Sequence, residues 1–203
     1  MYGWPVKDLL IENNKKGLSI PLNRCLPTID KNLNYNCLVK AKEYFNSIIK
    51  DNRLNTVIIG LTWHSINLVD ENNYSYSTSE ERNKSLIFLI EKLEANNKNV
   101  FLIGPILTPN YNLASTVSRN LVYGKKIDYK LFEPINKFNE LYYEDISFFK
   151  NKLKENFLLP HEYFCDKANC YFADKLGSNF SDKNHLSQYG ALKLKELFSI
   201  AFK

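Results

Sequence analysis

The sequence predicts an α/β fold, a doubly wound three-layer sandwich around a mostly parallel sheet, and three observations lead there. Helical and β-compatible segments alternate along nearly the whole chain. Two unbroken apolar runs, Val57-Ile58-Ile59 and Val100-Phe101-Leu102-Ile103, lie between polar flanks without the alternation of a half-exposed strand. The last segment returns to helical spacing, closing the order on a helix. With 203 residues, 44% of them hydrophobic and 24% charged, the chain is sized for one domain, 1–203, with a proper core.

Each element has its own justification. Residues 5–15 read as a helix with Pro5 in the first turn and Gly17 as the stop. Leu18-Ser19-Ile20-Pro21-Leu22 is short and β-compatible, and a polar loop runs from Arg24 to Cys37. Leu38, Ala41, Phe45, Ile48 and Ile49 recur at helical spacing, which predicts a second helix over 38–50. Residues 56–61 read as a strand covered on both faces, delivering Thr62-Trp63-His64-Ser65 to the carboxyl edge of the sheet, where ligands bind in open α/β folds. A helix from 79 to about 96 begins with Glu80 and Glu81, favourable at its amino end, and turns Leu86, Leu89, Ile90 and Leu93 inward. The strand at 100–103 stops at Gly104-Pro105. Prolines and asparagines between 106 and 134 suggest a long excursion over the strand ends. An aromatic-rich helix over 136–153, a short strand at 157–160 and a helix over 186–202 complete the chain.

Composition excludes several function classes. No apolar run is long enough to cross a bilayer, and Met1-Tyr2-Gly3-Trp4-Pro5 lacks the basic start and apolar core of a signal peptide. The net charge of +5 comes from lysines scattered among asparagines and glutamates. With no arginine-rich stripe interleaved with aromatics, nucleic acid is not expected as a partner.

Four cysteines form two local pairs, Cys25 with Cys37 and Cys165 with Cys170. Disulfides are the leading reading; each would close a short loop, contribute about 2–3 kcal/mol and imply an oxidising compartment. Free thiols, or a metal site drawing on His161, Cys165 and Cys170, are the alternatives, although zinc prefers tighter spacing.

The most informative stretch is Phe180-Ser181-Asp182-Lys183-Asn184-His185-Leu186-Ser187. An Asp three residues before a His can hold one imidazole nitrogen and leave the other as a general base. The plainer alternative makes Ser187 a helix cap, Asp182 a turn residue and His185 a surface residue.

Three features together carry a resemblance that spans essentially the whole chain: this stretch, the run Val57-Ile58-Ile59-Gly60-Leu61-Thr62-Trp63 and the paired cysteines. The sequence resembles the SGNH hydrolase superfamily of esterases and acyltransferases. More narrowly, it is similar to the SGNH domain fused to membrane-bound sugar O-acyltransferases of bacterial envelopes. The resemblance implies an SGNH/flavodoxin-like sheet, Asp182 orienting His185, His185 as general base, and Trp63 on the oxyanion or substrate side, with a core aromatic as the alternative for Trp63. Arg119 is the candidate holder of an anionic sugar or carboxylate, with a surface ion pair as its alternative. His64 could donate a hydrogen bond in the site.

The family nucleophile is a Ser in a Gly-Asp-Ser block at the end of the first strand. No Gly-Asp-Ser occurs here, and Met1 stands where the first helix begins. The first strand, the nucleophile and one oxyanion amide are therefore expected to be missing, leaving residues 18–22 and 56–61 without the strand between them. These residues alone are expected to be inactive and weakly stable. Neither Ser65 nor Ser187 sits on the strand-to-helix elbow a nucleophile needs.

In its complete form the protein is expected to move an acyl group, most often acetyl, onto or off hydroxyls of envelope glycans such as lipopolysaccharide O-antigen. The implied partners are a glycan with its acyl donor and an upstream membrane acyltransferase domain, which would tether the chain in the periplasm. No metal or organic cofactor is implied. The alternative is a noncatalytic fragment or pseudoenzyme that keeps a carbohydrate-binding surface.

Overall fold

Asparagine, not glycine, ends the first helix. In the computed structural model, which describes residues 3–22, 25–63, 67–72, 74–76, 78–109, 111–124 and 131–203, α1 spans Gly3–Glu12 with Pro5 in its first turn. Asn14 then adopts φ +49°, a left-handed turn that Asn tolerates, and the amides of Asn14 and Lys15 return to the Ile11 and Leu10 carbonyls. Residues 18–22, expected as a strand, form none. Pro21 has no amide to give a ladder, Leu18 is 68% exposed, and no described strand pairs with the segment.

The remaining elements follow in order: β1 (Lys31–Asn32), α2 (Tyr35–Lys50), β2 (Thr56–Ile59), β3 (Leu68–Asp70), β4 (Ser75–Tyr76), α3 (Ser79–Glu94), β5 (Asn99–Ile103), α4 (Leu113–Val122) and β6 (Phe132–Pro134). After these come α5 (Ile135–Leu153), β7 (Phe157–Leu158), β8 (Asn169–Tyr171), β9 (Ala173–Asp174), β10 (Gly177–Ser178), α6 (Gln188–Leu192) and α7 (Lys195–Ser199). The chain divides into two compact units. One comprises Met1–Lys16, Gly104–Ile146 and Leu159–Lys203; the other comprises Gly17–Ile103 and Ser147–Leu158.

The second of these units holds the parallel sheet, in the order β2-β5-β7, with Thr56 opposite Asn99, Ile59 opposite Leu102 and Leu102 opposite Phe157. Central β5 is buried from Val100 to Ile103, no residue more than 3% exposed. In β2 only Ile59 is buried, and Val57 and Ile58 are half-buried. Burial expected along the whole run is thus complete only at Ile59, and among the described strands β2 has a neighbour on one side only, as expected where the first strand is missing. Helix α2 starts three residues earlier than its apolar spacing suggests, because the Asn34 side chain accepts the Cys37 amide at 2.9 Å and caps it. Thr78 caps α3 the same way through the Glu81 amide, and Leu86, Leu89, Ile90 and Leu93 are buried at 1% exposure or less.

A small antiparallel sheet, β1-β3-β4, was not foreseen. It is held by turn chemistry: Asp70 Oδ1 accepts the Asn72 and Tyr74 amides, and Oδ2 accepts the Tyr76 hydroxyl. The fully buried Asn32 side chain accepts the Leu26 amide and donates to the Leu26 and Thr28 carbonyls, and the Cys25–Cys37 disulfide forms.

In the other unit, residues 106–134 are not loop throughout: α4 lies within them, its start marked by Asn112 Oδ1 accepting the Ser115 amide. Strands β6 and β8 pair antiparallel, β9 and β10 form a hairpin, and Cys165 is bonded to Cys170. With all four cysteines so paired, neither free thiols nor a cysteine-metal site is left. The closing helix predicted over 186–202 is broken into α6, α7 and a terminal 3-10 turn. Helix α1 packs on α6 and α7. It is tied there by the Glu12–Lys195 ion pair and by Lys15 Nζ donating to the Phe202 carbonyl at 2.9 Å.

Candidate active site

The loop ahead of α6 is closed before it carries any chemistry. Phe180 and Leu186, 0% and 7% exposed, pair across an antiparallel bridge. Inside it the Ser181 amide donates to the His185 carbonyl at 2.9 Å, and its hydroxyl reaches the same oxygen at 3.2 Å. Asp182 then uses both oxygens. Oδ1 accepts the amides of Asn184 (2.7 Å) and His185 (2.8 Å), an Asx turn, and Oδ2 lies 2.7 Å from His185 Nδ1.

Those contacts settle the electronics of the pair. The Asn184 amide first, then the His185 ring and amide, hold the Asp182 carboxyl below its usual range, against a smaller opposing effect of burial. An ionised carboxylate has no proton to give, so the hydrogen between the two groups sits on Nδ1. In the neutral ring this tautomer leaves the lone pair on Nε2. The imidazole is 62% exposed and the carboxylate 39%, so the ring is fixed at its root and open at its tip.

A polar cluster supports the loop from behind. Ser187 caps α6 by accepting the Gly190 amide at 2.9 Å and donates its hydroxyl to the Ser178 carbonyl at 2.6 Å. The helix-cap reading of Ser187 and the Asp-His pair are therefore both present, and this hydroxyl is committed elsewhere than to His185. Asn179, 1% exposed, donates to the Tyr171 carbonyl at 3.1 Å and accepts Lys193 Nζ at 2.7 Å. Lys193 also pairs with Asp174, which accepts the Tyr189 hydroxyl at 2.7 Å. Lys193 above all holds the Asp174 carboxyl well below the usual carboxylate range. Gly190 fits against the backbone of Asn179 so closely that a Cβ there would lie 2.1 Å from its carbonyl oxygen.

Sequence reasoning did not find these supports. The one signal it had was Ser187 followed three residues later by Gly190, a cap joined to a close approach.

His185 and Leu186 face a third neighbour within the same unit. Together with Gly3, Trp4 and Lys7 of α1 they line a surface pocket of about 330 Å³. Trp4 is 49% exposed.

The other candidate residues are placed as follows. Trp63 is buried in the unit that holds the parallel sheet: its indole N–H donates to the Ile103 carbonyl at 3.0 Å, its ring meets Phe149 and Phe157 edge-on, and the Arg82 guanidinium lies 5.1 Å from its ring. Its single donor is therefore engaged. Arg119 stands exposed in the last turn of α4 and is not among the residues lining the pocket. His64 and Ser65 lie outside the described residues. Among the described residues no helix is long and apolar enough to cross a membrane, and no group of three His, Cys, Asp or Glu side chains is placed to hold a metal.

Comparison with known proteins gives the family and the fold. The profile of the SGNH domain (fused to AT3 domains) matches residues 1–199. Among solved structures, the periplasmic domain of the lipopolysaccharide acetyltransferase of Salmonella ser. Paratyphi A superposes with a TM-score of 0.64 at 16% sequence identity, over 99% of this chain and 78% of that one. At that identity the likeness concerns the fold. No curated protein matches the sequence.

Proposed function

The chain belongs to the SGNH domain family of the kind fused to AT3 domains, and from that premise we propose that it is the acyl-handling domain of an envelope O-acyltransferase. Its action is to move an acetyl or similar group onto, or off, glycan hydroxyls in the periplasm, beside a membrane acyltransferase domain. The observation that carries this reading is the 2.7 Å contact between Asp182 Oδ2 and His185 Nδ1 on a loop whose backbone is itself held by Asp182.

The chemistry follows from that contact. Nε2 of His185 takes the proton of a serine hydroxyl as the serine oxygen bonds to the acyl carbon. The imidazolium, stabilised by Asp182, returns the proton to the oxygen of the departing donor. In the second half a sugar hydroxyl attacks the acyl-serine and gives its proton to Nε2, and the serine oxygen leaves with that proton. Backbone amides stabilise the oxyanion in both halves. Water in place of the sugar makes the same cycle a hydrolysis. The serine is assigned to a Gly-Asp-Ser block outside these 203 residues, which contain none.

The test compares residues 1–203 with a chain extended upstream through a Gly-Asp-Ser block, using an activated acetyl ester with and without a glycan acceptor. The extended chain turns over ester and loses that activity on His185→Ala, while the short chain stays at background. Extended chain that binds glycan but never turns over ester would favour the pseudoenzyme alternative.

A further inference from the structure

We propose that Trp4 and Lys7 form the acceptor subsite beside His185, and that the sugar they hold carries an anionic substituent, a carboxylate or a phosphate. This inference rests on the glycan reading above and adds the chemical class of the acceptor.

A single exposed aromatic is ordinary on a protein surface; its position is what distinguishes this one. Trp4 is 49% exposed, whereas the chain's other tryptophan, Trp63, is 6% exposed. Trp4 shares the lining of one pocket with the residue that bears the free imidazole nitrogen. Lys7 follows three residues later on the same face of α1 and lines the same pocket. The pair is held in place, because the buried Leu9 and the Glu12 and Lys15 ties to α7 and Phe202 anchor the helix.

The surfaces match a sugar. The flat indole offers an apolar face to the C–H groups of a pyranose ring, leaving the ring hydroxyls at its edge, where one can approach Nε2. Lys7 supplies the charge preference. Among the described residues no carboxylate pairs with Lys7, and the only carboxylate of the loop, Asp182, is occupied by His185 and two amides. The Lys7 ammonium is the charge on this lining that favours a negative group. The pocket volume of about 330 Å³ is of the order that takes a single sugar unit.

Having one exposed and one buried tryptophan makes the test direct. Methyl glucoside, methyl glucuronide and glucose 6-phosphate are titrated into the chain while tryptophan emission and the amide resonances of residues 3–7 and 185–186 are followed. The expected result is a blue shift of the Trp4 emission and a half-saturation about two- to fivefold lower for an anionic probe than for the glucoside, the range of an exposed ion pair. Glucuronide preferred over phosphate identifies the carboxylate as the group held, and the reverse identifies the phosphate. Lys7→Gln abolishes the preference and leaves glucoside binding unchanged. Trp4→Ala weakens all three by about two- to tenfold.

Equal binding of the neutral and charged sugars, or no change on Trp4→Ala, overturns the proposal. Asp182→Asn separates it from the reading beneath it. That variant impairs acyl transfer in the extended chain and leaves the glucoside titration and the preference for an anionic probe in place. Titrations that behave as stated beside transfer that survives Asp182→Asn would overturn the catalytic reading and keep the subsite.

Discussion

The loop carrying His185 and the strand end carrying Trp63 are the two places where the sequence put chemistry, and the structure treats them in opposite ways. At Trp63 the only donor is bonded to the Ile103 carbonyl and the ring is enclosed by Phe149, Phe157 and Arg82. Around His185 the backbone, Asp182 and Nδ1 are all bonded, yet Nε2 has no described partner and the ring is 62% exposed. A side chain whose every polar atom is satisfied holds a core together. One fixed at a single end and free at the other is fit to exchange a proton.

Paired substitutions sharpen that contrast. Asp182→Asn in the extended chain should lower turnover by about 10²–10⁴-fold, since the imidazole loses the partner that sets its tautomer, with little change in thermal unfolding. Trp63→Ala should do the reverse, costing about 3–5 kcal/mol in denaturant unfolding, a large share of the roughly 5–15 kcal/mol a domain has. Equal stability losses from the two variants would erase the distinction drawn here.

A smaller effect probes how the loop is held from behind. Gly190→Ala forces a Cβ onto the Asn179 carbonyl, where backbone has to move, and about 1–3 kcal/mol of stability should be lost. Because Asn179 adjoins Phe180 at the root of the loop, turnover in the extended chain should fall as well. Unchanged unfolding would mean that α6 shifts freely at that point.

How much of this was legible in the sequence depends on how local the cause was. The Asp182–His185 contact closes over three residues, α3 shows in the helical spacing of Leu86, Leu89, Ile90 and Leu93 and β5 in an unbroken apolar run, so each could be read from its own stretch. Helix α4 escaped notice because Asn112 looked like one more loop asparagine. The two- and three-residue strands β1, β3 and β4 are too short to show a period. The half-burial of Val57 and Ile58 is not visible in Val57-Ile58-Ile59 itself, because the run does not say what packs on each residue. The pocket formed by Trp4, Lys7 and His185 joins residues some 180 positions apart, and no window of sequence contains both halves.

The smallest expected effect concerns pH. Lys193, with help from Tyr189 and the Leu176 amide, keeps the folded Asp174 carboxyl well below its unfolded value of about 4. A lowered folded value means that this support is complete above about pH 4 and fades as the pH falls through the folded value. The stability gap between the protein and Asp174→Asn should therefore be constant near neutrality and shrink on acidification below about pH 4. A gap that widens in acid would reverse the sign assigned to this carboxylate.

The central claim is that Asp182 fixes the proton of His185 on Nδ1 and leaves Nε2 as the base. Nitrogen-15 NMR of the imidazole reads this without any need for turnover, and His185→Ala assigns the signal among the chain's three histidines. At a pH where the ring is neutral, the account predicts a protonated Nδ1 and an unprotonated Nε2, with that preference lost in Asp182→Asn. A proton on Nε2 in the unaltered protein, or the same spectrum in both proteins, would contradict it.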